Sequence, residues 1–368
     1  MRRFLFCVAV LALLSCGASR AQYEHAVAAP VADTSIVDRV LGGNWLVLPF
    51  VSYAPDTKLS VGLLAGYYQS EQPGRPASSV QSTVLVTQKR QVVVQVAPEW
   101  YIGGGRWRLL GDLQAAHFPN TFYGIGGDTP EAAAEDYTAR FVQFDITAQR
   151  RLRSHLRVGP RVFLRGGSVT NPERGGTIAR GRVTGGDGGV TAGLGASAQW
   201  DARDSRYYPT TGRYADLRAT LYSAAWGSDY TFARVETDLR AYRPLGIGVL
   251  AGQVYTEAVT NTAPFQLLPL LGGPSRLRGY REGRFRDDVY WTAQAEYRMP
   301  LFWRFKATTF AAVGEVGPRV GGKLVQDVEA AVGIGGRLQL NDDGVHGRVD
   351  IAYGRSGLEF YLSLGEAF

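Results

Sequence analysis

From Trp45 to the C-terminus, apolar and polar residues alternate with a period of two, the pattern of strands with one dry face and one wet face. Val289, Trp291, Ala293, Ala295, Tyr297 and Met299 fall on one side of such a run; Tyr290, Thr292, Gln294, Glu296 and Arg298 fall on the other. Ala233, Val235, Thr237, Leu239 and Ala241 alternate with Arg234, Glu236, Asp238 and Arg240. Val142, Phe144, Ile146 and Ala148 oppose Gln143, Asp145, Thr147 and Gln149. A soluble sandwich also alternates, but many of these runs extend for roughly 10–14 residues, and a tilted strand crosses a bilayer in about 9–11. The polar faces carry charges of both signs, as a wet lumen does. In lipid every backbone group must be bonded within the protein, so a strand-built membrane protein must close into a barrel. The pattern therefore predicts an all-β fold, an antiparallel transmembrane β-barrel.

Sixteen strands are expected. They run over 45–54, 59–70, 78–88, 91–101, 106–118, 135–151, 155–167 and 188–203, then 213–224, 230–243, 248–260, 289–300, 303–314, 327–340, 346–354 and 358–368. An even number suits a bacterial barrel. If the chain starts in the periplasm, the long connections 120–136, 170–187 and 262–288 face outward. The short connections 103–105, 153–155 and 245–248 become periplasmic turns.

The N-terminus changes the picture from a barrel to a secreted barrel. Arg2 and Arg3 precede an apolar run from Phe4 to Leu14, and Ser19-Arg20-Ala21 fits a small-x-small cleavage site. Residues 1–21 read as a signal peptide, 22–43 as a periplasmic arm and 44–368 as the barrel. An alternative processing reading is a lipoprotein box at Leu13-Leu14-Ser15-Cys16. Both cysteines, Cys7 and Cys16, lie in the leader. Ordinary cleavage leaves no thiol for a disulfide, a zinc site or a nucleophile. The expected location is the bacterial outer membrane, with outer-membrane lipids as the first partner.

Charge and chemistry-bearing residues add little catalytic signal. Lys and Arg number 40 against 33 Asp and Glu. A wet lumen, the loops and contact with anionic headgroups account for the excess, and no basic cluster interleaved with aromatics points to nucleic acid. His25, His117, His155 and His346 read as surface or rim residues, none in a triad spacing. Gly193, Gly195 and Ala198 mimic a dinucleotide fingerprint, but within an alternating run they read as packing positions. Ser197 lacks a nucleophile-elbow context. Asp128, Glu173 and Asp187 read as solvated loop carboxylates. No catalytic residue, metal or cofactor is expected.

The longest connection, between the eleventh and twelfth strands, contains Leu271-Gly272-Gly273-Pro274-Ser275-Arg276-Leu277-Arg278-Gly279-Tyr280. One reading is an ordinary Gly/Pro-rich surface loop. The other puts Arg278 inside the barrel, where a guanidinium removed from water requires a carboxylate. Glu296, on the lumen face of the next strand, is the candidate. Gly279 permits a tight turn, and Tyr280 packs on the wall.

Leu277-Arg278-Gly279-Tyr280 resembles the signature of the BamA/TamA family of outer-membrane assembly and translocation barrels, the bacterial surface antigens. Asp201-Ala202-Arg203-Asp204 with Pro209-Thr210-Thr211-Gly212, Phe122-Tyr123-Gly124-Ile125-Gly126-Gly127, and Phe50 through Thr57 are similar to other stretches of that family. The resemblance implies an inward-folded sixth outer loop with Arg278 on Glu296. It also implies a C-terminal insertion signal, Phe360, Leu362, Leu364 and Phe368 on one face, read by the barrel assembly machinery. Glu366 interrupts that face. Two departures stand out. Ala312 occupies the place of a family Asp, with Glu315 a substitute only in another register. POTRA domains are missing, so protein insertion or export calls for a separate periplasmic POTRA-like or chaperone partner. The alternative is a passive channel or structural barrel.

Overall fold

The computed structural model describes residues 45–69, 77–260, 263–318, 326–340, 346–355 and 357–368. The expected signal peptide and arm, with Cys7, Cys16 and His25, lie outside the described residues.

The first eight strands are β1 Trp45–Ala54, β2 Lys58–Tyr68, β3 Ser79–Thr87, β4 Val92–Ile102, β5 Trp107–Phe122, β6 Glu135–Arg151, β7 Leu156–Thr170 and β8 Gly188–Asp201. Then come β9 Gly212–Tyr222, β10 Phe232–Leu245 and β11 Gly248–Val259. Two short strands follow, β12 Leu270–Leu271 and β13 Phe285–Arg286. The last five are β14 Val289–Pro300, β15 Phe305–Gly317, β16 Glu329–Gln339, β17 His346–Gly354 and β18 Gly357–Leu364. β1 to β11 and β14 to β18 form one closed antiparallel barrel of neighbours in chain order, and β12 pairs with β13 inside the connection 260–288. The sixteen-strand expectation holds.

The alternation read from the sequence is the inside and outside of this wall. Val61 and Leu63 on β2, Phe144 and Ile146 on β6, and Val332 and Ile334 on β16 are exposed on the outer surface. Their alternates, among them Gln95, Gln143, Arg161, Glu236, Gln253 and Glu296, are buried in the lumen. Exposing large apolar side chains in rows is costly in water and is the normal condition of a barrel in lipid. The lumen charges are matched: Arg161 pairs with Asp145 (2.5 Å) and Glu236 (2.9 Å), and Arg234 pairs with Glu257 (2.8 Å).

The long and short connections segregate to opposite ends, called here the loop end and the turn end. At the loop end β5 and β7 outrun their expected bounds, while β6 keeps those expected for it. β5 and β6 stay paired through Asn120↔Tyr137 to Phe122↔Glu135, and β7 continues to Thr170. At about 3.4 Å per residue, they rise beyond the wall and carry part of the connection expected as loop.

The C-terminus departs from the expectation in a different way. β18 ends at Leu364, and Gly365 adopts φ +78°, which only glycine enters freely. The turn breaks the period-two parity. Phe360 and Leu364 remain on the outer face, whereas Phe368 is 4 % exposed and lies in the lumen beside Tyr242. Phe368 therefore does not share a face with Phe360, Leu362 and Leu364. Glu366 does not interrupt a lipid face; its side chain is buried and accepts from Arg337 Nε at 2.8 Å.

Candidate functional site

The connection 260–288, here L6, lies against the inward side chains of β14 to β18. Its sequence explains the approach. Gly272 and Gly273 have φ +100° and +97°, and Gly279 has φ +105°. A Cβ on Gly279 would sit 3.1 Å from Ala331 Cβ and 3.2 Å from Gly354 N, so only glycine allows the backbone this close to the wall. Leu271, Leu277, Tyr280 and Phe285 pack with Tyr290, Ala312, Val316 and Ala331 in one apolar cluster.

Arg278 sits at the centre, with both its side chain and that of Glu296 0 % exposed. Its Nη2 donates to Glu296 Oε1 at 2.5 Å and its Nη1 to Asp350 Oδ2 at 2.8 Å. The guanidinium lies 3.5 Å from the centroid of the Phe310 ring. A planar fork reaching two carboxylates on different strands is a task for Arg and not for Lys. The carboxylates are themselves shared. Arg298 Nε reaches Glu296 at 2.9 Å, Arg337 Nη1 reaches Asp350 at 2.6 Å, and Arg348 donates to Pro274 O of L6 at 3.1 Å. Gly279 N donates to Tyr361 Oη (3.0 Å), which donates to Tyr280 O (3.1 Å). Tyr280 Oη donates to Glu329 (2.7 Å) and accepts from Arg355 N (3.1 Å). L6 is thus fastened to β14, β16, β17 and β18.

Sequence reasoning named Arg278, Gly279, Tyr280 and Glu296, and the structure brings all four together. It missed Asp350, which alternates with Arg348 on the wet face of β17 as any lumen pair would. Ala312 is not a gap in the network: it packs beneath Leu277 and Tyr280. Glu315 does not replace the family Asp. Its Oε1 accepts from Gln326 N (2.9 Å) and Asp327 N (3.0 Å) and so serves the β15–β16 connection.

Both ends of the lumen are filled. At the loop end, Phe265, Leu267 and Leu268 of L6 join Ile178 and Val183 of the 171–187 connection against Phe122, Tyr137 and Phe163. Gly126 N donates to Arg286 O at 2.8 Å, bridging the 123–134 connection to L6. At the turn end, the β8–β9 connection, 202–211, folds across the mouth. Arg206 forks onto Glu99 with two contacts of 3.0 Å. The Tyr208 ring lies 4.6 Å from His346 and 3.5 Å from Lys306 Nζ. Burial would raise the Asp204 carboxyl, but the Thr210 hydroxyl and the N–H groups of Thr211, Thr210 and Ser205 hold it below the usual carboxylate range. That carboxylate shapes the turn. His346, read from the sequence as a rim residue, is fully buried beneath Tyr208.

The half-buried Arg206–Glu99 pair at the mouth is worth about 1 kcal/mol, about a fivefold change in an open population. Arg206→Ala with Tyr208→Ala should raise the frequency of current openings in a planar bilayer by about that factor. An unchanged trace would show that this turn does not limit access.

The remaining chemistry candidates do not converge. His117 Nδ1 accepts from Arg140 Nε at 3.2 Å, and His155 Nδ1 lies 3.1 Å from Asp201 O. Ser197 Oγ accepts from Gln149, and Gly193 leaves room for the Tyr222 ring within β8. Asp128 faces Arg355 (3.5 Å), while Glu173 accepts from Asp136 N (3.2 Å). Among the described residues no group of three His, Cys, Asp or Glu is placed to hold a metal.

The Omp85 superfamily domain matches residues 88–368, most of the barrel and all of L6. The chain belongs to the Omp85 superfamily. This shows the BamA/TamA-type resemblance read from the loop motif, and with it a general kinship to barrels of protein insertion and translocation. Similar solved structures agree on the Omp85 fold. BamA from Haemophilus ducreyi lacking POTRA domains 1–3 matches with a TM-score of 0.61 at 15 % identity, over 87 % of this chain and 70 % of that one. CdiB from Acinetobacter baumannii matches with a TM-score of 0.54 at 11 % identity, over 88 % and 59 %. CdiB from Escherichia coli gives 0.55 at 9 %, over 88 % and 62 %. The chain thus spans about 60 % of the CdiB chains. No curated protein matches the sequence.

Proposed function

We propose that this Omp85 barrel resides in the bacterial outer membrane and inserts or exports proteins through the seam between β1 and β18, served by a separate periplasmic partner. The observation that carries this reading is the seam itself. Among the described residues β1 and β18 register at a single pair, Tyr53↔Leu362. By contrast, β1 pairs β2 from Trp45↔Tyr67 through Ala54↔Lys58, and β17 pairs β18 from Gly347↔Leu364 through Gly354↔Gly357. Among the described residues this is the shortest ladder between neighbouring wall strands, and so the place where an incoming strand can most readily add. Beside that pair the Tyr53 and Phe360 rings make a tilted contact at 5.9 Å. L6 grips β18 through Tyr361, so it steadies the C-terminal edge. The work needs no catalytic residue, metal or cofactor. In this reading the loop end faces outside and the turn end faces the periplasm.

A passive channel fits less well, because L6 crosses the lumen and both mouths are filled. The partner is inferred from the family's work with periplasmic POTRA or partner proteins, and the barrel's own C-terminal strand from Phe360 to Leu364 is the segment offered to the assembly machinery.

The test is a locked seam. Tyr53→Cys with Leu362→Cys, oxidised in cells, should reproduce the effect of depletion: a fall in the surface abundance of dependent outer-membrane proteins, reversed by a reductant. Normal surface protein levels with the crosslink formed would remove the seam from the function.

A further inference from the structure

Two neighbouring turns at the turn end carry an apolar surface that neither L6 nor the wall covers. The β10–β11 and β14–β15 turns are neighbours because β11 pairs with β14. Together they expose Leu245, Ile247, Leu301, Phe302 and Trp303, with Ile247 77 % and Trp303 80 % exposed. The β14–β15 turn is tight: Leu301 N donates to Phe305 O at 3.0 Å and Phe305 N to Phe302 O at 2.9 Å. The Phe302 and Trp303 rings lie 5.3 and 5.8 Å from the Phe305 ring. Trp303 has φ +50°, a region that a bulky residue enters only under constraint.

The lipid belt does not account for this surface. Tyr297, outward on β14, donates its hydroxyl to Leu245 O at 2.9 Å, and a tyrosine hydroxyl at the end of an apolar face marks the level of the interface. Phe302 and Trp303 come later in the chain, beyond Pro300↔Lys306, the last wall pair of this hairpin. An aromatic girdle rings a barrel, whereas other turns at this end read Gly103-Gly104-Gly105-Arg106 and Arg153-Ser154-His155. A contiguous apolar patch past the belt calls for a cover.

A segment suited to cover it is tethered at the same end. β1 starts at Trp45, opposite its hairpin with β2, and so at the turn end. Residues 22–44 precede it and lie outside the described residues. Their sequence holds Val27, Val31, Ile36, Val37, Val40 and Leu41, and sets Glu24, Asp33 and Asp38 against a single Arg39. The two turns contain no acidic residue, and Arg243 and Arg304 flank them. By way of β18, β17 and β16, β15 is four wall positions from β1, about 20 Å at about 4.8 Å per strand. Residues 22–44 can span about 70 Å when extended.

We propose that residues 22–44 dock on the apolar patch of Leu245, Ile247, Leu301, Phe302 and Trp303. On the shorter way round, the segment passes the end of β18 and lies as a strap beneath the seam, resisting separation of β1 from β18. That consequence rests on the seam reading proposed above; the docking does not.

Photocrosslinking in the native membrane tests the docking, with p-benzoylphenylalanine in place of Val37 of the full chain and the products mapped by mass spectrometry. The crosslink should fall on the two turns, and Phe302→Ser with Trp303→Ser should lower its yield by about fivefold or more. Leu152→Ser, in another turn of the same end and also exposed, should leave it unchanged. Ile36→Asp with Val40→Asp should lower the yield as the turn variant does, and this variant leaves every wall residue in place. Heat-modifiable gel migration scores folding in each case. Crosslinks that fall on lipid, on another protein or elsewhere on this chain overturn the docking, as does a yield that both double variants leave unchanged. A locked seam without effect on surface proteins would remove the protein-handling reading and leave the docking result standing.

Discussion

Arg278→Ala should lower the temperature at which the folded barrel loses its compact gel migration by about 10 °C. Removing one partner of a buried ion pair costs about 3–5 kcal/mol, because the other charge stays buried. For a chain of this size each kcal/mol corresponds to about 2–4 °C. The low end of the energy range applies here, since Glu296 keeps Arg298 and Asp350 keeps Arg337. Arg278→Lys should recover only part of the loss, because an ammonium cannot fork between Glu296 and Asp350. Combining Arg278→Met with Glu296→Gln should cost less than the sum of the two single changes. A melting profile for Arg278→Ala that overlays the wild type would mean the loop is not held by this network.

That network was half legible in the sequence. The loop motif identified Arg278, and the parity of Tyr290 to Arg298 put Glu296 on the wet face beside it. Asp350 was hidden because its partner arrives from 72 residues away, and nothing local marks a strand carboxylate as the recipient of a distant guanidinium. The strand pattern was legible nearly throughout, since the period of two is enforced by lipid on one side and water on the other. It failed where the chain leaves the wall. Beyond Gly365 the parity no longer reports a face, so Phe368 was placed outside. The contacts of the β8–β9 turn were equally opaque: nothing local in Ser205-Arg206-Tyr207-Tyr208-Pro209 shows that Glu99, from a strand far earlier, receives the Arg206 guanidinium. Surface turns and lumen plugs share one composition, and long-range contacts decide between them.

Between pH 5.5 and pH 8 the wild-type barrel should lose heat resistance, and Asp56→Asn should flatten that dependence. Asp56 lies in the β1–β2 turn, at the loop end of the seam, with its Oδ1 buried and unbonded. Burial pushes its carboxyl up to about 7, and the nearby Glu282 of L6 and Glu359 of β18 add to the rise, against the opposing pull of its own backbone N–H and of Lys89. The unfolded carboxyl titrates near 3.8. A carboxyl whose folded value is the higher one favours the folded state in its protonated form. Its stabilising contribution is complete below pH 3.8 and is lost as pH rises through about 7. Above that value the turn holds an ionised Asp56 facing two further carboxylates across the seam, and the hairpin β1–β2 is the element pushed away from L6 and β18. Asn keeps the shape without the charge, so the variant should match the low-pH wild type and exceed it at pH 8. The Tyr53→Cys, Leu362→Cys pair gives an independent readout at fixed pH: at pH 8, where thiolate reactivity is the same in both, oxidation should be slower with Asp56 than with Asn at that position. A wild-type barrel with the same heat resistance at both pH values would show that the Asp56 charge is accommodated without moving the seam.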